Sequence, residues 1–453
     1  MFDTKVIAIL IVFVSIEDRL VSSDPESDYC YSDDPHAYLL AGSKTAYEIS
    51  HNLIRNTSVP NCEPAQIWML FRHGTRYSGK TEIKNMKKLL PKLQQKILKN
   101  HENHGRGHLC RDDLANLRAW EIDPNLSEDT PKYLTKQGET DLKSLGARFK
   151  QYFPQLLQPV SEYTPADKYK FKSTDSQRTV ASMQHFINGA FGNVTFNNTE
   201  VVSAEDNTLL RLYKICKPWV ELMKNKSTNA EVDAFLDGPE IGQVTREVSQ
   251  RLGFDEDLPF KSVLTMYTAC VFERAWFVGK LSPWCAAFTE ESLKVFEYEE
   301  DLYYYTHSSY GQPMSPRVGC RPLQDMFQHF SRLENREAHD DELQGVFYFS
   351  HSSMLQLFLT TMGVAEDSTP LTATNYGTMR DRKWRASYLA PFAANFAAVF
   401  YRCDSANKVR FYLNEKPLEL AGCEQGVCDW EYLKRKLRTP GFDCNIDFCQ
   451  IDQ

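Results

Sequence analysis

Hydrophobic and polar positions along this chain separate strands from helices. Ile67-Trp68-Met69-Leu70-Phe71 is an unbroken apolar run that stops at a polar cluster containing Gly74. Such a run predicts a buried strand leading straight into a loop. Lys168 to Ser173 alternates, which predicts a half-buried strand, and Thr174-Asp175-Ser176-Gln177-Arg178 follows it. Gly345 to Ser350 predicts a third strand, ending at His351, and Ala397 to Arg402 and Lys408 to Leu413 predict two closing strands. Helical spacing runs through Ile83 to Asn100, Leu134 to Phe149, Val180 to Phe191 and Met354 to Met362, with Thr135 as a helix N-cap. From Asn207 to Glu334 the pattern is mostly helical and strand signals are scarce. The prediction is an α/β domain over 24–205 and 336–453 with an α-helical cap inserted over 206–335.

Composition adds a compartment. Val6 to Val14 is a run of nine apolar residues after Lys5, and Val21-Ser22-Ser23 offers small residues for cleavage. This predicts a secretory leader over 1–23, since a membrane span needs about 20 apolar residues. The C-terminal residues carry neither an apolar tail for a lipid anchor nor an ER-retention tetrapeptide. Twelve cysteines suit an oxidising compartment. Cys423/Cys428, Cys444/Cys449 and Cys270/Cys285 are spaced for local disulfides. Sequons begin at Asn56, Asn125, Asn193, Asn197 and Asn225, as in a secreted glycoprotein. A net charge of -8 argues against nucleic acid or an anionic membrane as the main partner, and it makes each arginine cluster more telling.

The chemistry gathers at strand ends, where an open α/β sheet places its ligand crevice. The first strand delivers Arg72-His73-Gly74-Thr75-Arg76, the second Arg178 and the third His351. Guanidinium forks match phosphate oxygens, and a neutral imidazole between them can attack phosphorus. Gly74 is expected to let backbone approach what they hold.

Arg72-His73-Gly74-Thr75-Arg76-Tyr77 resembles the signature of the histidine phosphatase superfamily, in its acid phosphatase branch, and within it the inositol polyphosphate phosphatases. Ser43-Lys44-Thr45-Ala46-Tyr47, the helix opened by Leu134-Thr135, the context of Arg178, and the stretches from Pro370 to Ala373, Arg380 to Arg385 and Pro391 to Asn395 match the same group. One departure is Ser78, where the branch usually has proline. The resemblance implies a mixed, mostly parallel central sheet flanked by helices. It implies a phosphohistidine on His73, with Arg72, Arg76, Arg178 and His351 around the phosphoryl group. The cationic groups stand in for metal ions, so no metal or other cofactor is expected. Lys80 joins the expected substrate-binding set. Relatives also pin ends equivalent to Cys62 and Cys403 together.

The second departure bears on rate. Relatives carry a carboxylic acid one or two residues after the second histidine, where this chain has Ser352 and Ser353. Loss of a general acid costs about 10²–10⁴ in rate. A carboxylate from elsewhere, a water relayed by Ser353, or binding with little turnover are the readings left open. The expectation is a secreted phosphatase of inositol polyphosphates, a small-molecule substrate. The alternatives are a catalytically impaired polyanion-binding protein and a broader acid phosphatase that includes bisphosphoglycerate. Oligomeric state is not legible.

Three further groups invite a role. Arg380, Arg382, Lys383 and Arg385 form the densest basic cluster, for which a second phosphate subsite using Arg382 and Arg385 is expected. Lysines of the helix from Ile83 (Lys84 to Lys99) predict a solvated face. His101, His104 and His108 fit no helix face and are read as no metal site.

Overall fold

The computed structural model describes residues 29–34, 40–160, 166–334 and 342–450. The leader expected over 1–23 and the boundary expected at 335/336 lie outside them.

The strands are β1 (Cys62–Arg72), β2 (Tyr169–Thr174), β3 (Thr199–Val202), β4 (Gly345–Ser350), β5 (Asn395–Cys403), β6 (Lys408–Leu413), β7 (Lys416–Pro417) and β8 (Val427–Asp429). They form one sheet in the order β3-β2-β4-β1-β5-β6-β7, with β8 also paired to β6. The first four are parallel, while β5 to β8 join antiparallel. The sheet is therefore mixed, as the resemblance implies, and its parallel half carries the predicted site residues at its strand ends. The short strands β3, β7 and β8 were not anticipated; β3 is an edge strand with mostly exposed residues and no apolar pattern.

Alternation within β1 shows why its apolar run is unbroken. Ile67, Met69 and Phe71 point into one core and Trp68 and Leu70 into another, so both faces of the sheet are covered. Helices Lys136–Tyr152 and Gln177–Phe191 cover the first face through Leu142, Leu145, Phe149, Phe186 and Ile187. Helices Cys320–Ser331 and Ser352–Thr361 cover the second, where Trp68 Nε1 and Tyr348 Oη donate to opposite oxygens of Asp325 at 2.9 and 3.0 Å. Between β3 and β4 the described residues form helices and turns and contribute no strand. No helix among the described residues is long and apolar enough to cross a membrane.

All twelve cysteines are paired. Cys62–Cys403, Cys270–Cys285 and Cys423–Cys428 agree with expectation. The local Cys444/Cys449 pair is overturned: Cys444 bonds Cys320 and Cys449 bonds Cys216. Packing decides this, because Cys449 is buried in a small core with Cys216, Trp219 and Leu357. Cys30–Cys110 completes the set.

Candidate active site

The register of the parallel half sets the site. Arg72 of β1 lies opposite Ser350 of β4, and Phe349 of β4 lies opposite Ser173 of β2. Three strands thus end level, and the next residues of each meet at one edge. The His73 and His351 rings stand 5.7 Å apart at 68°. Arg178, from the first turn of helix Gln177–Phe191, places Nη2 3.3 Å from His351 Nδ1.

His73 is held in one tautomer. Its Nδ1 lies 2.8 Å from the Gly74 carbonyl oxygen, which can only accept, so Nδ1 carries the proton and Nε2 keeps a lone pair. Burial first, then Arg178, Arg72, His351 and Arg76, hold its pKa well below the ordinary value of 6.5. The ring is therefore neutral and nucleophilic well into the acid range.

The loop that carries it is fixed from behind. Gly74 N–H donates to Ser182 Oγ at 3.0 Å. The Thr75 amide and hydroxyl both donate to Asp141 Oδ2, at 3.0 and 2.7 Å. A Cβ on Gly74 would sit 2.6 Å from the Gly138 carbonyl oxygen. The close backbone approach expected at Gly74 is therefore to the helix behind the loop.

His351 is oriented by a directed chain. A guanidinium only donates, so Nδ1 accepts from Arg178 and the proton sits on Nε2. Nε2 donates to Thr174 Oγ1 at 3.1 Å, and that hydroxyl donates to Thr179 Oγ1 at 2.7 Å. Thr179 in turn donates to backbone carbonyls of Thr174 and Ser176. Burial, then Arg178, Arg211, Arg72 and Arg76, push this histidine well down as well.

Around the two imidazoles stand four arginines, one more than the sequence suggested. Arg72 donates through Nη1 to the carbonyls of Ser43 and Ala390. Arg76 donates to the Tyr77 carbonyl at 2.7 Å, while its own carbonyl accepts from Trp276 Nε1 at 3.0 Å. The additional member is Arg211, which pairs with Asp175 at 2.7 Å. It is brought to His351 because Ser350 Oγ donates to the neighbouring Leu210 carbonyl at 2.8 Å. An arginine among leucines gives no sequence signal for this.

The guanidiniums are crowded in a low-dielectric crevice. Burial is the main cause that pushes Arg72 and Arg178 down to about 10, with Arg76 adding to both. The Nε atoms of Arg72, Arg178 and Arg211 are buried and have no hydrogen-bond partner among the described residues. Buried donors without acceptors are costly, and an oxyanion supplies the acceptors and the opposite charge together.

Other expected residues stand elsewhere. Arg382, 3% exposed, puts its guanidinium against Asp301 (Nε at 2.7 Å) and Glu297 (Nη2 at 3.1 Å). Arg385 Nη2 lies 2.9 Å from Glu297. The expected second subsite is thus corrected: these charges are neutralised inside the fold by carboxylates of helix Glu290–Ser308. Lys80 is exposed and opens helix Lys80–His104, just past the Arg76 loop. Ser353 is half-buried in the first turn after His351. His101 spends both nitrogens on backbone, donating from Nδ1 to Ile97 O at 2.9 Å and accepting at Nε2 from Leu109 N–H at 3.2 Å.

A family model described as histidine phosphatase superfamily (branch 2) matches residues 65–414. The chain belongs to that superfamily. This branch-2 histidine phosphatase is 33% identical over 437 residues to a Drosophila melanogaster protein named multiple inositol polyphosphate phosphatase 1, covering 94% of this chain and 91% of the relative. It is 28% identical over 426 residues to the Homo sapiens protein of the same name, covering 87% and 85%. Its fold is shared with the phytase from D. castellii (TM-score 0.73, 18% identity, covering 91% and 87%). A Bifidobacterium longum multiple inositol polyphosphate phosphatase in complex with inositol hexasulfate shares it too (TM-score 0.64, 13% identity, covering 88% and 97%).

Proposed function

We propose that this chain hydrolyses phosphomonoesters of inositol polyphosphates through a phosphohistidine on His73. The observation that carries the reading is the set of buried, unpartnered guanidinium donors gathered around a histidine whose Nε2 lone pair is free. Relatives named for inositol polyphosphate hydrolysis supply the substrate class.

His73 Nε2 attacks phosphorus in line with the departing alkoxide. Arg72, Arg76, Arg178 and Arg211 stabilise the equatorial oxygens, and His351 adds a hydrogen bond when the arriving dianion offsets the cations that keep it neutral. Water then attacks the phosphohistidine and releases phosphate. Lys80, exposed beside the Arg76 loop, attracts the polyanion.

Six disulfides and five exposed sequon asparagines support a secreted glycoprotein whose leader is 1–23. The division into an α/β domain (24–205 with 336–453) and a cap (206–335) is supported by the lack of strands among the described residues between β3 and β4.

The test is phosphate release from inositol hexakisphosphate by the purified protein. Wild type is expected to turn over, and His73→Ala to fall to background; equal rates would remove the proposal.

A further inference from the structure

We propose that Tyr304 donates the proton that the leaving alkoxide needs, in place of the carboxylic acid missing after His351. This rests on the phosphomonoesterase reading above. Ser352 and Ser353 begin the helix after His351, and Ser352 Oγ already accepts from Gln356 Nε2 at 2.8 Å. Serine is a poor acid, and the carboxylates nearest the arginines are committed elsewhere. Glu82 accepts the Gly79 amide at 2.5 Å, Asp175 pairs with Arg211, and Glu300 takes Ser43 Oγ at 2.5 Å and Lys44 Nζ at 2.7 Å on one oxygen. Each of these carboxylates is already engaged as a hydrogen-bond acceptor by other groups.

Tyr304 stands on this last network. It comes from helix Glu290–Ser308, and its hydroxyl donates to Ser43 Oγ at 3.3 Å, the longest bond of the group and the one most readily exchanged for a substrate oxygen. The carbonyl of the same Ser43 accepts from Arg72. Tyr304 lies within electrostatic reach of Arg72, Arg76 and Tyr213. The network is built into the backbone: Gly42 has φ +51, and a Cβ there would collide with the Glu300 carboxylate. Tyr213, the other phenol within reach, is pushed up to about 12 by burial, which holds its proton in place.

The protons balance over two steps. In the first, the His73 Nε2–P bond forms, the P–O bond to the inositol carbon breaks, and the Tyr304 proton passes to the alkoxide. The phenolate is held by Arg72 and Arg76. In the second, water attacks phosphorus, its proton returns to Tyr304, and the N–P bond breaks.

Leaving-group dependence tests this. The rate of phosphohistidine formation in a single turnover is compared for wild type and Tyr304→Phe, on inositol hexakisphosphate and on p-nitrophenyl phosphate, whose phenolate departs without help. The variant is expected to lose roughly 10²–10³ on the inositol substrate and less than tenfold on the aryl one. It is also expected to bind inorganic phosphate as wild type does. Equal losses on both substrates, lost phosphate binding, or no loss on the inositol substrate would overturn the acid while leaving the phosphatase reading intact. Absence of phosphohistidine in wild type with either substrate would overturn both. Ser353→Glu in the Tyr304→Phe background is expected to regain at least tenfold; no gain would contradict a missing-acid defect.

Discussion

His73 and His351 face each other at 5.7 Å because Arg72 and Ser350, the residues just before them, are register partners in two parallel strands 278 positions apart. The two imidazoles serve different ends. His73 keeps Nε2 open by donating from Nδ1 to Gly74, whereas His351 keeps its proton on Nε2 and offers Nδ1 to the arginine side.

Arg211 extends the cluster beyond the family signature. Arg211→Ala is expected to weaken inorganic phosphate binding by tenfold or more, on the order of 1.5–3 kcal/mol for a hydrogen bond to a charged group. Competitive inhibition by phosphate measures it. An unchanged inhibition constant would mean that Arg211 serves only to pair with Asp175.

His73 is pushed down in pKa by burial and by Arg178, Arg72, His351 and Arg76, so it stays unprotonated as the medium falls below pH 6.5. The profile of kcat/KM, corrected for substrate ionisation, is expected to show no loss of activity centred near pH 6.5. A fall to one half near that value would contradict a nucleophile shielded by cations.

Asp141 braces Thr75 from below, and burial pushes its carboxyl up to about 6, from 3.8. A raised carboxyl stabilises the fold fully below its unfolded value and loses that contribution as pH rises through about 6. Asp141→Asn keeps the acceptor for Thr75 and removes the buried charge. It is expected to stabilise the protein by about 1–3 kcal/mol at pH 7.5 and by little at pH 4. Thermal melts at the two values check both sign and window.

Arg382 holds two carboxylates inside the fold. Arg382→Met leaves Glu297 and Asp301 facing each other and is expected to cost about 3–5 kcal/mol. Denaturant unfolding measures the loss. KM ratios between hexakisphosphate and an aryl phosphate are expected to stay within twofold; a selective rise for the hexakisphosphate would restore the subsite.

The parts of this molecule that could be read along the chain are those where local pattern and tertiary place coincide. Parallel strands buried on both faces leave runs such as Trp68 to Phe71, and residues just past them must reach the crevice. Arg382 and Arg385 read as a free basic patch because they lie in a loop and their partners lie on a helix 81 and 88 positions away. Cys444 and Cys449 looked like a pair for the same reason, since their true partners, Cys320 and Cys216, are remote in sequence. Arg211 is brought to His351 by a strand-end hydrogen bond, and Tyr304 meets Ser43 from a helix 261 positions further along the chain; neither leaves a periodic trace.

The central claim is that His73 becomes covalently phosphorylated. The direct measurement is rapid alkaline quenching during turnover of inositol hexakisphosphate, followed by peptide mass spectrometry of the trapped protein. The account predicts an acid-labile, alkali-stable phosphoryl group on the peptide containing His73 and none in His73→Ala. Sustained phosphate release with no phosphorylated His73, or with the same label on another residue, would contradict it.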